Sequence, residues 1–361
     1  AAAGYAAFVF SPAAVKSHPD DWLSQGNAAG TGPYTIKSFK MGEEVILQAF
    51  EGYWGGWEGN HARTAYIKKV PENASRRQLI EKGEATFIYS LTPEDHAALR
   101  ANPDITVTQS KSFQNLILFF NNKKPPLDNP LVRQALSYAF PYTDIVKYVV
   151  GGEGSQSRGI IPDGLWGHGN DVFQYSYDLD KARALLAQAG YPSGGFSLLV
   201  TYMSGDEGER RSLELYKSEL EKIGVNLEIR AMLWDNQWEY AKQDPASAQD
   251  ILVMYWWPDF ASPYSWLFNL YHSEEDVMFN LGYYSNPRYD ALIDEGNIAS
   301  GVDRAQGERM FIEAQKLLMN DAVTIPMYDL RYVRIYRNNF KGYRDNPVYP
   351  NVVFFYNTWI E

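Results

Sequence analysis

At 361 residues the chain is long enough for two or three domains, and it can bury a sizeable core without covalent staples. It contains no cysteine, which excludes a disulfide framework, a thiolate metal site and a cysteine nucleophile. Its net charge of −11 argues against binding to phosphate backbones or anionic lipid, so nucleic acid is not an expected partner. No apolar run reaches the length of a membrane span; the longest, Leu116 to Phe120 and Ile251 to Trp257, are strand-sized. Residue 1 does not open a basic start with an apolar core, so we expect either a processed export signal or a true N-terminus further upstream. Phe, Trp and Tyr make up 15% of the residues; Tyr and Trp join a large contact area to a polar handle, as ligand-holding surfaces require.

The spacing predicts a short helix over Pro12 to Lys16, then a glycine-rich turn from Gly26 to Pro33. Two alternating segments, Tyr34 to Phe39 and Glu44 to Phe50, read as a hairpin, and Tyr66 to Val70 as a strand. Asn73 is the expected cap of a helix ending before Gly83. A strand over Thr86 to Tyr89 precedes Thr92-Pro93-Glu94-Asp95, a helix start with cap, proline and first-turn acids. Strands follow at Ile105 to Gln109 and Phe113 to Asn121. Asn129 and Pro130 open a helix to about Phe140, and a second helix covers Tyr142 to Val150. After a turn-rich loop, Gly151 to Gly169, Asp178 caps a helix that Gly190 ends. Phe196 to Tyr202, an amphipathic helix from Gly208 to Ile223, Val225 to Met232 and Ile251 to Trp257 form the next alternation of strand and helix. Helices over Pro287 to Ile298 and Asp303 to Asn320 lead to strands at Thr324 to Met327 and Tyr332 to Arg337, and then to an aromatic tail.

These elements predict an α/β protein of two lobes joined by two crossover segments, Phe113 to Asn121 outward and Tyr328 to Arg337 back. The expected domains are a first lobe at 1–114, a second at 115–332 and a return to the first at 333–361. Paired crossovers act as a hinge, and clefts between such lobes are common ligand sites. The five histidines lack metal-site spacing, and no phosphate loop, dinucleotide loop or nucleophile elbow occurs, so neither a metal nor a cofactor nor catalysis is expected.

The densest chemistry lies in Met254-Tyr255-Trp256-Trp257-Pro258-Asp259-Phe260-Ala261-Ser262-Pro263-Tyr264-Ser265-Trp266. A lone carboxylate after a core strand and among aromatics is costly unless paired. Asp259 either caps a turn or a following helix, or offers an anion to a ligand cation, with Trp256 and Trp257 adding stacking and cation–π contact. Four landmarks set these residues in a pattern: Gly30-Thr31-Gly32-Pro33-Tyr34 with Tyr53-Trp54-Gly55-Gly56; Asn121 with Pro125 to Asn129 and Val132 to Ala139; Asp180 to Leu186 with Ala189-Gly190-Tyr191-Pro192; and the Trp256 to Pro263 turn. In this order they resemble the peptide- and nickel-type extracellular solute-binding proteins, family 5, across nearly the whole chain.

That resemblance implies the class II type of the periplasmic-binding-protein-like fold, with a first lobe lacking its N-terminal portion. The family usually carries on the order of 150 further residues before the first landmark. It implies Asp259 as the residue that salt-bridges a peptide α-ammonium, Trp256 as a pocket wall, Trp257 beside it and Gln237 at a pocket position; Trp234 and Met203 complete the expected ligand-binding set. Met203 stands where dipeptide binders place a carboxylate-binding Arg, and no cation occurs between Phe196 and Gly208. An oligopeptide is therefore expected over a dipeptide, the alternative being an oligosaccharide or other neutral solute. Implied partners are a peptide or small solute and the membrane permease subunits of an ABC importer, with the chain itself a monomer. The implied location is periplasmic or extracellular, with a lipid anchor in a Gram-positive-type cell.

Overall fold

The computed structural model describes residues 11–361; residues 1–10 of the expected first lobe lie outside the described residues. In chain order the elements are α1 (Pro12–Ser17), β1 (Tyr34–Lys40), β2 (Glu44–Ala49), β3 (Thr64–Lys68), α2 (Asn73–Lys82), β4 (Phe87–Ile88), α3 (Pro93–Leu99) and β5 (Ile105–Phe120). They continue with α4 (Pro130–Tyr138), α5 (Tyr142–Asp144), β6 (Gly154–Gln156), α6 (Leu179–Gln188), β7 (Phe196–Met203), α7 (Glu207–Glu221), β8 (Val225–Met232), α8 (Trp234–Ala241) and β9 (Ile251–Trp256). The last are α9 (Tyr264–Tyr271), α10 (Pro287–Ser300), α11 (Arg304–Asp321), β10 (Thr324–Arg337), β11 (Phe340–Lys341) and β12 (Trp359–Ile360). The chain divides into two compact units: Lys111–Tyr332, and the described residues up to Ser110 together with Val333–Glu361.

Two strands cross from one unit to the other, β5 at Ser110 and β10 at Tyr332. Each is continuous where the sequence reads as two shorter strands, since neither interval holds a turn-forming Gly or Pro. The serines at the β5 crossing are satisfied instead by residues far along the chain. Ser110 Oγ donates to Asp345 at 2.5 Å and Ser112 Oγ to the Leu330 carbonyl at 2.6 Å.

The larger unit is built on the strand order β10-β5-β9-β7-β8, with β6 added against β10. β7 is parallel to both β8 and β9, whereas β5 and β9 are antiparallel. Both faces of this sheet are covered, so its central strands read as continuous apolar runs. Alternate side chains serve opposite cores. Leu116, Leu118, Phe120, Leu198, Val200 and Val253 pack with α4, α6 and α7, while Ile117, Phe119, Leu252, Met254 and Trp256 pack with α9, α10 and α11. Each such side chain, fully buried, contributes roughly 1.5–3 kcal/mol. The smaller unit holds the antiparallel sheet β1-β2-β3 and a separate core of Ile80, Ile88, Leu91, Leu99, Ile105 and Ile335.

Thr92, Asn129 and Asp178 cap their helices with side-chain oxygens as expected. Asn73 does not: it is the first helical residue of α2, Glu72 stands at the cap, and the Asn73 carboxamide accepts from Arg76. The expected helix over Tyr142 to Val150 begins as α5 and continues as a π-helical turn over Ile145–Val149. Gly224 ends the α7 segment in the left-handed region, φ +75°, where a Cβ would lie 2.1 Å from the Ser193 carbonyl oxygen.

Asp329 on β10 is a buried acid in the larger unit. It accepts the Ser157 hydroxyl at 2.5 Å and the Asp163 N–H at 3.1 Å. Burial pushes its carboxyl up to about 6, against the pull of those two donors and His168. The unfolded chain releases this proton near pH 4, so Asp329 stabilises the fold most below about pH 4 and that contribution is lost as pH rises through about 6. Asp329→Asn removes the titration. In urea denaturation, its stability relative to the unsubstituted protein is expected to rise by up to about 3 kcal/mol between pH 4 and pH 7. A difference that does not change with pH contradicts this.

Candidate functional site

β7, β8 and β9 run in one direction, so their carboxyl ends share an edge, the position at which open α/β sheets hold ligands. Met203 ends β7 opposite Met232 of β8, and β9 ends at Trp256. The chain then turns through Trp257 to Pro263 and enters α9.

Asp259 sits in this turn, half-buried. Its backbone N–H donates to Ser265 Oγ at 3.0 Å, and one carboxylate oxygen accepts from Asn269 Nδ2 at 3.0 Å. Ser265 and Asn269 lie four residues apart on α9, one turn of one face. The turn therefore leans on the helix that follows it. Burial raises the Asp259 carboxyl above the ordinary aspartate range, while Asn269 and Ser265 pull it down. Among the described residues no cation pairs with it. A carboxylate held by neutral donors and partly out of water keeps a demand for positive charge that a ligand can meet.

Trp256 is a wall. It is buried, its indole N–H donates to the Ser265 carbonyl at 3.1 Å, and its ring meets Phe279 edge-on at 5.1 Å. Phe279 in turn stacks on Trp238, whose indole N–H donates to the Met278 carbonyl. Trp257 is half-buried beside Asp259 in the turn. Trp234 opens α8, is half-buried, and packs against the same core as Trp256.

Gln237, expected at a pocket position, is buried on α8 and faces the sheet. Its Nε2 donates to the carbonyls of Thr201 on β7 and Val253 on β9 at 3.0 and 3.1 Å, which ties α8 to both strands, and its Oε1 has no partner among the described residues.

Met203 is 38% exposed at the strand end. Its N–H donates to Glu209 Oε2 at 2.7 Å. Glu209 is buried, and burial, followed by the neighbouring Asp206, pushes its carboxyl well above the usual glutamate value. Met203 is thus tied to an acid and not to a cation that could clamp a ligand carboxylate. Among the described residues no group of His, Asp or Glu is arranged to hold a metal ion, and no helix is long and apolar enough to cross a membrane.

Sequence reasoning did not find α8 or α9, and so missed Ser265, Asn269, Trp238 and Phe279. Pro263, one residue before the first helical residue of α9, was the available signal, masked by the aromatic run around it. Asn269→Leu deletes the carboxylate's side-chain donor. The Asp259 carboxyl is then expected to titrate at higher pH than in the unsubstituted protein, read from its carboxyl carbon by NMR; an unmoved midpoint disproves the contact.

The family model for bacterial extracellular solute-binding proteins, family 5 Middle, matches residues 1–277. The probable D,D-dipeptide-binding periplasmic protein DdpA of Escherichia coli K12 is 28% identical, the match covering 96% of this chain and 66% of that protein. Heme-binding protein A of Haemophilus influenzae is 27% identical over 88% of this chain and 57% of its own length. The chain thus spans roughly three fifths to two thirds of the length of these curated relatives. Among solved structures, the ABC transporter-associated periplasmic binding protein DppA from Helicobacter pylori, in complex with the peptide STSA, superposes with a TM-score of 0.86 at 24% identity. That superposition covers 98% of this chain and 68% of the other, and it shows a shared fold.

Proposed function

The chain belongs to the bacterial extracellular solute-binding proteins of family 5, and from that premise we propose that it captures peptides outside the cytoplasm for an ABC importer, with Asp259 receiving the peptide α-ammonium. The observation that carries this reading is the Asp259 carboxylate: half-buried, held by neutral donors, and paired with no cation among the described residues. A charge-assisted bond from an ammonium supplies the missing partner and fixes the ligand's register. Trp256 backs the site, and Trp257, Trp234 and Met203 offer partly exposed apolar surface along the same edge. Trp faces stack on side chains and attract cations without reading their identity, which suits broad specificity.

An oligopeptide fits better than a dipeptide. A dipeptide's carboxylate lies close to its ammonium and needs a cation nearby, whereas Met203 stands beside buried Glu209 and Asp206. A longer peptide carries its carboxylate away from this acid pair. The work is capture rather than catalysis, and the ligand shifts the protein only as far as it binds one conformation better than another. The recipient is the importer's permease, which takes the ligand-loaded form.

Two outcomes follow. Asp259→Ala is expected to weaken a peptide with a free amino terminus by about tenfold to a hundredfold in calorimetry, the loss of one charge-assisted bond. Unchanged affinity, or stabilisation by oligosaccharides and by no peptide, defeats the reading. Since the Asp259 carboxyl is raised, it takes up a proton before an ordinary aspartate does as pH falls. Affinity is then expected to decline as pH drops from neutral into the weakly acidic range, and Asp259→Asn to flatten that decline.

A further inference from the structure

The turn that carries Asp259 has few backbone bonds of its own: Ser262 N–H to the Phe260 carbonyl at 2.7 Å, then the first bonds of α9. Its direction is set from outside, by a segment distant in sequence. Trp166 Nε1 donates to the Ala261 carbonyl at 2.9 Å, two residues beyond Asp259. Gly167 presses on Pro263, at φ +83°, and a Cβ there would lie 2.4 Å from the proline ring. One dipeptide thus grips the turn at both of its later residues.

The gripping segment is itself mounted rigidly. Gly167 N–H donates to Glu308 at 3.0 Å, and the Gly167 carbonyl accepts from Gln315 Nε2 at 2.8 Å. Gln315 Oε1 also accepts the N–H groups of Ile160 and Ile161. The Trp166 ring lies against Phe311, and the Arg304 guanidinium sits 4.6 Å over it. A second support reaches the helix that follows the turn. Asn115 of β5, fully buried, donates to the Ile160 carbonyl at 2.8 Å and accepts from the indole of fully buried Trp266 at 3.1 Å. Trp266 lies in the first turn of α9, between Ser265 and Asn269. One loop, 160–167, therefore fastens both the Asp259 turn and the helix whose side chains hold Asp259.

We propose that Trp166, together with the Asn115–Trp266 pair, positions Asp259: these residues hold the turn and α9 in one register, so that the carboxylate keeps a fixed direction toward the ligand ammonium. This rests on the peptide reading above. Trp166 acts through the turn and touches no ligand itself. A turn free to swing spreads the carboxylate over several directions and forfeits part of the charge-assisted bond, which is directional.

The test is Trp166→Phe, which keeps a flat ring between Phe311 and Arg304 and removes the indole donor together with part of the ring area. Dissociation constants are measured by calorimetry for trialanine and for Nα-acetyl-trialanine, which has no ammonium. Trialanine is expected to weaken by about fivefold, the worth of one neutral hydrogen bond, and the acetylated peptide by less than about twofold. Trp166→His, which retains a ring N–H, is expected to recover part of the trialanine affinity. An equal loss for both peptides makes Trp166 a packing residue and overturns the proposal, as does no loss for either. A second readout needs no ligand: the NMR titration midpoint of the Asp259 carboxyl carbon is expected to move in Trp166→Phe. If trialanine fails to bind the unsubstituted protein, the peptide reading fails, and the titration still decides the positioning role, since an unmoved midpoint overturns it.

Discussion

A sheet buried on both faces leaves a ligand only its edges. In the larger unit α4, α6 and α7 cover one face and α9, α10 and α11 the other, so polar chemistry on either face would have to be desolvated. The carboxyl ends of β7, β8 and β9 are where the chain leaves the core, and backbone and side chains there regain water. The candidate site follows from that constraint. Met203 is exposed because it is the last residue of its strand, and Asp259 is half-buried because the turn after β9 folds back onto α9.

The acids of this edge have different partners. Asp259 has neutral hydrogen-bond partners and no cation among the described residues, and Met203 is tied to buried Glu209 beside Asp206. A buried acid without a counter-charge destabilises a fold. Asp206 is explained by its cap on α7, whereas Asp259 is held by neutral donors alone. Trp256 and Trp238 spend their indole N–H groups on backbone carbonyls and pack their rings on Phe279, so both serve as structure.

Much of the fold was legible because it depends on local signals. Strand alternation gave β1 and β2, side-chain oxygens marked the caps at Thr92, Asn129 and Asp178, and apolar runs marked β5 and β9. Where the reading erred, a side-chain partner that the pattern does not show was responsible. Ser110 and Ser112 look like a strand break until Asp345 and Leu330 receive their hydroxyls, and Asn73 looks like a cap until Arg76 takes its carboxamide. The helix α9 was hidden by its own composition, since its aromatic residues argue against a helix on propensity and packing overrides that preference.

The sequence by itself determined the α/β class, the order of most elements, the family resemblance and the singular position of Asp259, because periodicity, turn chemistry and an isolated charge among aromatics are written in consecutive residues. Only the tertiary structure decided that Gln237 faces inward, that Ser265 and Asn269 hold Asp259, and that a loop near residue 166 grips its turn. Those contacts join residues up to 151 positions apart, as Asn115 and Trp266 are. The direction of a side chain across such distances is set by packing, which no local pattern encodes.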